Sequence, residues 1–600
     1  MSIAVSGFGI ICAIGNDASS VLRSLQEGRT GIGTMRYLQS SHKELPVGEV
    51  KLSNEEMKRM LGQDEKAIIS RTVLMGAIAI RQALEYANLD LKGKRIAVIN
   101  GTTVGGMDIT EHYFMQMKED DALLPVLEKH DCGSSTREIA DLAGLKDAEV
   151  CTVSTACSSA VNAIILGAEM LKNNEADIII AGGTEALSLF HLNGFNSLMI
   201  LDKDYCRPFD KNRAGLNLGE GAAFVVLQKT ENLINEQTPL AFIRGYANRC
   251  DAFHQTASSE DGEGAYLAMS EALRMSGLEP QDIHYINAHG TGTPNNDASE
   301  SAAIRRVFGE NIPPVSSTKG FTGHTTSASG SIETVISILA LLEDFLPANL
   351  GWKEQDEACI TPAPLQLPPE GERQSHLLPF GGGREGAVLC NSFGFGGNDS
   401  AVVIGASPSP SKGGMKQKGF STKVLADEII TDVEQLQEYR EFISPGEARR
   451  MGKLMKAATI TSLKALQAAG IETPDAIITA TAFGMLETSE KFLVDMLENG
   501  EETLSPTLFM QSTHNTLSSA IAIRLKCHGY NMTYSQGKDS LEWALRDARR
   551  LIETGKARTV LVGYHDEATP TFQEVFRRLG KPIPPVLYSR SIVLGRRPAE

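Results

Sequence analysis

Four stretches of the chain carry side chains suited to bond-making chemistry. Thr155-Ala156-Cys157-Ser158-Ser159 holds a cysteine among small hydroxyl residues. His289-Gly290-Thr291-Gly292-Thr293 sets an imidazole beside two glycines and two hydroxyls. Lys319-Gly320-Phe321-Thr322-Gly323-His324 sets a second imidazole after a lysine. Asn391-Ser392-Phe393-Gly394-Phe395-Gly396-Gly397-Asn398 is a glycine-rich turn bearing two rings. A cysteine attacks as its thiolate. A loop glycine frees the backbone to turn tightly beside a ligand. Taken singly, each stretch also has a plainer reading. Free cysteines mostly fill space, a loop histidine is often structural, and a glycine-rich loop often only turns the chain.

The elements around these groups decide how they are presented. The β-branched run 150–155 reads as a buried strand, and 160–172 as a helix with Val161, Ile164, Ile165, Ala168 and Leu171 on one face. Cys157 then sits at a helix start, where free N–H groups and the dipole favour a thiolate. His289 follows a strand expected over 283–287, and His324 precedes a helix expected over 331–342. Further strands are expected at 1–10, 96–100, 178–181, 222–227 and 401–404, and helices at 266–276 and 302–307. This alternation predicts an α/β fold of covered sheets.

Composition bounds the rest. Six hundred residues call for two or more domains. Apolar residues at 42% with 22% charged are ordinary for a globular protein. With 57 basic against 74 acidic residues the net charge is −17, and no long basic run offsets it, so no nucleic-acid partner is expected. Nine cysteines without zinc or C-x-x-C spacing fit reduced thiols and a cytoplasmic location, with no metal site. The N-terminus lacks a basic leader, and the apolar run 335–342 is too short to span a bilayer, so no membrane partner is expected.

The stretch 406–419, rich in Pro, Ser, Gly and Lys, reads as a linker between a domain at 1–405 and a second at 420–600. The Pro-rich piece 361–372 reads as an insertion in the first. The second part repeats the first: Ile99, His130 and Ala176 each open a segment matched at Ile478, His514 and Ala557, at offsets of 379, 384 and 381. Three matches in one order point to duplication. On the last offset Cys157 falls on Lys538, so the duplicate lacks the nucleophile.

Together and in this order, Thr-Ala-Cys-Ser-Ser, His-Gly-Thr-Gly-Thr, the Lys319–Gly330 run and Asn-Ser-Phe-Gly-Phe-Gly-Gly resemble the β-ketoacyl synthase branch of the thiolase superfamily. Arg207-Pro208-Phe209-Asp210 and Gly219-Glu220-Gly221-Ala222 also fit. The resemblance covers residues 1 to about 405. It implies a thiolase-like layered α-β-α-β-α fold, with a C-terminal half-thiolase-like α/β domain that is catalytically inactive. It implies decarboxylative condensation of an acyl thioester on Cys157 with malonyl carrier protein, in fatty acid, polyketide or aryl-polyene-type biosynthesis. His289 and His324 correspond to the two histidines that stabilise the enolate, and the N–H groups of Cys157 and Phe395 to the oxyanion hole. Phe395 also corresponds to the gate, with Gly394 and Gly396 beside it at the substrate. Lys319 and Glu333 match a buried pair, and Thr291 and Thr293 the hydroxyls that hold the phosphopantetheine arm. That arm belongs to the carrier protein, so no cofactor is implied. Asn398-Asp399, where the family often has Thr-Asn, reads as a minor change in the loop.

Two other readings stand beside it. A non-decarboxylating thiolase or acyltransferase would need a second acid–base cysteine, for which Cys390 is the only candidate. A non-catalytic scaffold would only bind the carrier protein. An acidic acyl carrier protein is the expected partner, docking on Arg207, Lys211 and Arg213. A homodimer of the first domain through the sheet that carries the nucleophile is expected, unless the half-fold covers part of that interface. The half-fold reads as structural, or as similar to the chain-length factors paired with some ketosynthases. His514 and His528 read as structural.

Overall fold

A computed structural model describes residues 2–233, 238–364, 386–408 and 420–597. Most of the expected linker (409–419) and of the Pro-rich insertion (365–372) lies outside these residues. The described strands are β1 (Ile3–Cys12), β2 (Ile96–Gly101), β3 (Glu149–Val153), β4 (Ile178–Glu185), β5 (Gly221–Lys229), β6 (Ala241–Cys250), β7 (Tyr285–Asn287) and β8 (Val315–Ser316). They continue with β9 (Ala387–Gly394), β10 (Asn398–Gly405), β11 (Ser421–Ile430), β12 (Ala476–Ala480), β13 (Tyr530–Tyr534), β14 (Thr559–Glu567) and β15 (Leu587–Arg597). Hydrogen bonding links them in the order β11-β15-β14-β12-β13-β3-β2-β4-β5-β1-β6-β10-β9-β7-β8.

Two helices lie at the centre of the first half. Ser159–Lys172 packs on β2, β4 and β10, and Ser329–Leu342 on β5 and β9. Both are apolar nearly all round, and all but the last residue of each is buried, as a helix between two sheets must be. The single buried face expected for 160–172 is thus too narrow. Outside lie Arg71–Ala87, against β1 and β5, and Glu263–Ser276, against β6 and β10. The result is helix, sheet, helix, sheet, helix.

The second half repeats part of this strand for strand. The order β11-β15-β14-β12-β13 matches β1-β5-β4-β2-β3, with parallel β12–β13 and β12–β14 pairs answering β2–β3 and β2–β4. Among the described residues nothing answers β6 to β10.

The halves join edge to edge. β3 and β13 meet antiparallel at Val153 and Tyr534. Ser154 N–H donates to Thr533 and Ser535 N–H to Thr152, each at 3.0 Å. One apolar core runs through both halves, from Ile99 and Val153 to Met532 and Trp543. The half-fold thus covers the β3 edge, the alternative to pairing of two first domains there: β3 lies between β2 and β13. Among the described residues no helix is long and apolar enough to cross a membrane.

Charge pairs lock the seam. Arg550 reaches Glu175 at 2.7 Å and Asp547 at 2.7 Å, and Arg546 reaches Glu149 and Glu175 at 2.6 Å each. The Arg550 side chain is 4% exposed. Removing one partner of a buried pair strands the other. Arg550→Ala is expected to lower unfolding free energy by about 3 kcal/mol or more, read by urea unfolding; a loss under about 1 kcal/mol would mean the pair is effectively solvated.

Candidate active site

Strand β3 delivers the chain into a tight turn, Ala156–Ser158, that opens directly into helix Ser159–Lys172. Ala156 takes φ 52, a left-handed backbone costly for a residue with a Cβ. Hydroxyls brace it: Ser159 Oγ donates to the Ala156 carbonyl at 2.6 Å and accepts from Thr155 N–H at 2.9 Å. Cys157 at the apex is 6% exposed.

Its Sγ lies 3.2 Å from His324 Nε2, and the Phe395 N–H stands close enough to favour its thiolate. His324 Nδ1 is held by Ser329 Oγ at 2.9 Å, and its own N–H by the Asn217 carbonyl at 2.7 Å. The His289 ring stands 5.3 Å from that of His324, centroid to centroid. Its loop is hung on Glu300, whose carboxylate accepts from His289 N–H at 2.9 Å and Gly290 N–H at 2.8 Å. Gly290 and Gly292 take φ 37 and 79, which explains the two glycines of that motif. Lys319 Nζ donates to the His289 carbonyl at 2.6 Å, lies 3.4 Å from His289 Nδ1, and pairs with Glu333 at 2.5 Å. Cys157, His289, His324, Thr291, Thr293, Gly394 and Phe395 share one cavity of about 360 Å³.

Burial governs the charges. It pushes the Cys157 thiol up to about 12, with Lys319 and the Phe395 N–H pulling the other way. It holds both imidazoles well below their ordinary range, and the charge on Lys319 adds to that. Burial also pushes Glu333 up to about 7 against the pull of Lys319. The resting site at neutral pH is a thiol beside two neutral imidazoles. The thiolate expected from the helix start is outweighed by desolvation.

Other expected residues fall elsewhere. Arg207 pairs with Asp202 at 2.9 Å, Lys211 with Glu354 and Arg213 with Asp356 at 2.5 Å each, so the expected docking patch is neutralised from within. Cys390 is buried on β9 and does not line the cavity. Asn398 is no loop variation but a buried node. Its Oδ1 accepts from Ser158, Asn162 and Asn248 at 2.8, 2.9 and 3.0 Å, and its Nδ2 donates to the Asn531 carbonyl at 2.6 Å. Sequence reasoning missed Glu300 and Glu185, whose carboxylate gathers Thr102 Oγ1 at 2.7 Å, Thr103 N–H at 3.0 Å and Ser327 Oγ. Neither acid sits in a motif, and only folding shows what they hold.

The duplicated turn is intact. Gly537 takes φ 56, and Gln536 N–H donates to Ser540 Oγ at 2.7 Å, as Thr155 does to Ser159. Lys538 stands where Cys157 stands in the first half, as the repeat predicts. Between the halves lies an aromatic-lined cavity of about 280 Å³, with Phe190 from one side and Phe483, Phe509 and Phe572 from the other. Phe195, in the Cys157 cavity, stacks on Phe395 at 5.8 Å and meets Phe509 at 5.3 Å. The two cavities share this wall of rings.

Family profiles agree with this geometry. The β-ketoacyl synthase N-terminal domain matches residues 1–232, its C-terminal domain 240–353, and a second N-terminal domain 427–591. The chain belongs to the β-ketoacyl synthase family. It is 34% identical to a 3-oxoacyl-[acyl-carrier-protein] synthase 2 of Synechocystis, over 67% of this chain and 97% of that one. It is 30% identical to nodulation protein E of Rhizobium meliloti over 67% and 98%. Among solved structures, the ishigamide ketosynthase/chain length factor matches at TM-score 0.60 and 28% identity, over 67% of this chain and 98% of that one. A keto synthase–chain length factor matches at TM-score 0.76 and 16% identity, over 99% of this chain and 78% of that one; this shows fold alone.

Alkylation tests the resting charge state. The rate of Cys157 modification by iodoacetamide is expected to rise about tenfold per pH unit from neutral upward, since the thiolate is the reacting form. A plateau near neutral pH would instead reveal a preformed thiolate–imidazolium pair.

Proposed function

We propose that this protein is a β-ketoacyl-acyl-carrier-protein synthase, with residues 1–405 as its condensing body and 420–600 as a non-catalytic half. The observation that carries this reading is the meeting of Cys157, His289 and His324 in one cavity with the Phe395 N–H. In the first step the Cys157 proton passes to His324 Nε2, and the thiolate attacks an acyl thioester. The N–H groups of Cys157 and Phe395 hold the oxyanion, and the carrier thiol leaves with the proton. In the second, a malonyl thioester loses CO₂, and its electron pair becomes an enolate. Once the carrier thiol has left, His324 returns to the Nε2–H tautomer with Nδ1 facing Ser329 Oγ, and the Nε2–H groups of His289 and His324 stabilise the enolate oxygen. Lys319, close to His289 Nδ1, keeps the proton on Nε2. The enolate carbon attacks the acyl-cysteine, and Cys157 leaves as a thiolate that takes up one proton from solvent to restore the resting thiol. Thr291 and Thr293, whose hydroxyls bond each other at 2.8 Å in the cavity, receive the phosphopantetheine arm of the carrier protein. Gly394 lets the turn approach it; Gly396, expected beside the substrate, does not line this cavity and faces Ser519 instead. No cofactor enters these steps. Nine free, buried thiols suit the reducing cytoplasm, where we place the protein.

Mass spectrometry of the intact protein tests the reading. With an acyl carrier thioester the wild type is expected to gain an acyl adduct that Cys157→Ala lacks. Malonyl carrier protein then yields a β-ketoacyl product that His289→Ala fails to form. No adduct with any donor would move the protein to a scaffold role. An adduct without decarboxylation would make it an acyltransferase.

The interdomain cavity, one wall from Cys157, is the space into which we place the growing chain, with the second half setting its depth. Ser489→Phe, which fills that cavity from the second half, is expected to shift products toward shorter chains by chromatography and mass spectrometry. An unchanged distribution would mean the chain lies elsewhere.

A further inference from the structure

The second half reaches into the turn that carries Phe395. Helix Thr516–Leu525 starts at Asn515, which holds the cap position that Asp131 holds in the first half. Asn515 Nδ2 donates to the Phe395 carbonyl at 2.8 Å. The next N–H, that of Gly396, donates to the Gln255 carbonyl at 2.6 Å. The 395–396 peptide is thus held at its oxygen by one half and at its nitrogen by the other. Asn515 is 1% exposed, so no bulk water stands ready to replace its amide. Gly396 (φ +87) has no room for a side chain, because a Cβ there would stand 1.9 Å from Ser519 Oγ of the same helix.

Phe395 and Cys157 line the same cavity, and the Phe395 N–H there favours the Cys157 thiolate. Holding the Phe395 carbonyl limits rotation about its own Cα–C bond, and so keeps the preceding N–H aimed at the reacting centre. An oxyanion donor works only when it is already in place, and small misplacements far from the chemistry slow it heavily. A half-fold that only covered the β3 edge would need no amide at this turn.

We propose that Asn515 is a positioning residue of the condensing site, supplied by the non-catalytic half, which holds the Phe395 turn in its oxyanion-binding geometry. The inference rests on the condensing function proposed above. It assigns the second half a part in the chemistry of Cys157 beyond covering an edge.

The test uses the full-length protein and the rate of Cys157 acylation by an acyl carrier thioester, read by quenched mass spectrometry beside thermal unfolding. Asn515→Leu, close in shape but without a donor, is expected to slow acylation about tenfold or more with half-saturation unchanged. Asn515→Asp carries a signature that packing alone would not produce. A protonated carboxyl donates to the Phe395 carbonyl and an ionised one repels it. The ratio of Asn515→Asp to wild-type rate is therefore expected to rise as pH falls. Variants that acylate at the wild-type rate, or a ratio that ignores pH, would overturn the inference while leaving the function standing. A wild type that takes no acyl group would overturn both. Should Asn515→Leu fail to fold, the pH ratio of the aspartate variant decides.

Discussion

The structure depends on a nucleophile strand that is not an edge. Five-residue β3 must hold the strained Ala156 turn and aim Cys157. An edge strand carries unpaired N–H and carbonyl groups and frays readily. β13 removes that edge. Ser154 N–H and the Thr152 carbonyl, the last regular backbone groups before the turn, bond Thr533 and Ser535 across the seam. Thr152 Oγ1 adds a bond to the Gln536 side chain at 2.8 Å. The second half has lost its nucleophile but kept the turn geometry around Lys538, since that geometry places Gln536 against Thr152 and against the Gly133 backbone.

A second constraint is dryness. Burial shifts Cys157, His289 and His324 toward their neutral forms, while Lys319 pairs with Glu333 and is anchored on the His289 carbonyl. A neutral thiol and neutral imidazoles cost little to keep away from water. Charge then appears only when substrate arrives, where fixed N–H donors meet it. The single buried pair meets His289 twice. It holds the His289 loop at its carbonyl, and it stands 3.4 Å from His289 Nδ1.

Much of this was legible in the sequence because the informative residues are local. Cys157 sits between a β-branched run and an apolar helix, and the two histidine motifs carry glycines that only a tight turn explains. The register that put Lys538 opposite Cys157 survived because three repeat segments fixed it. What stayed hidden depends on residues far apart in the chain. Lys211 looked free because Glu354, its partner, lies 143 residues on. Asn398 looked like a loop variation because its partners Asn162, Asn248 and Asn531 come from three separate elements. Asn515 carried no motif at all; its weight comes from where a helix start lands on another domain's turn.

These long-range contacts explain which parts of the second copy remain. The retained strands include β13, which closes the β3 edge. The retained helix Thr516–Leu525 reaches the Phe395 turn, and Asn531 on β13 reaches Asn398. The strands without a counterpart, β6 to β10, are those that in the first half build the His289 loop and the glycine-rich turn. Two facing copies need only one such set to run one reaction. The second copy is cut where its own chemistry would begin and kept where it touches the chemistry of the first. Selection for a folded edge alone would have required β13 and a covering helix. It would not have required the buried Asn515 amide on the Phe395 carbonyl, or the Asn531 carbonyl that accepts from Asn398 at the far end of that turn.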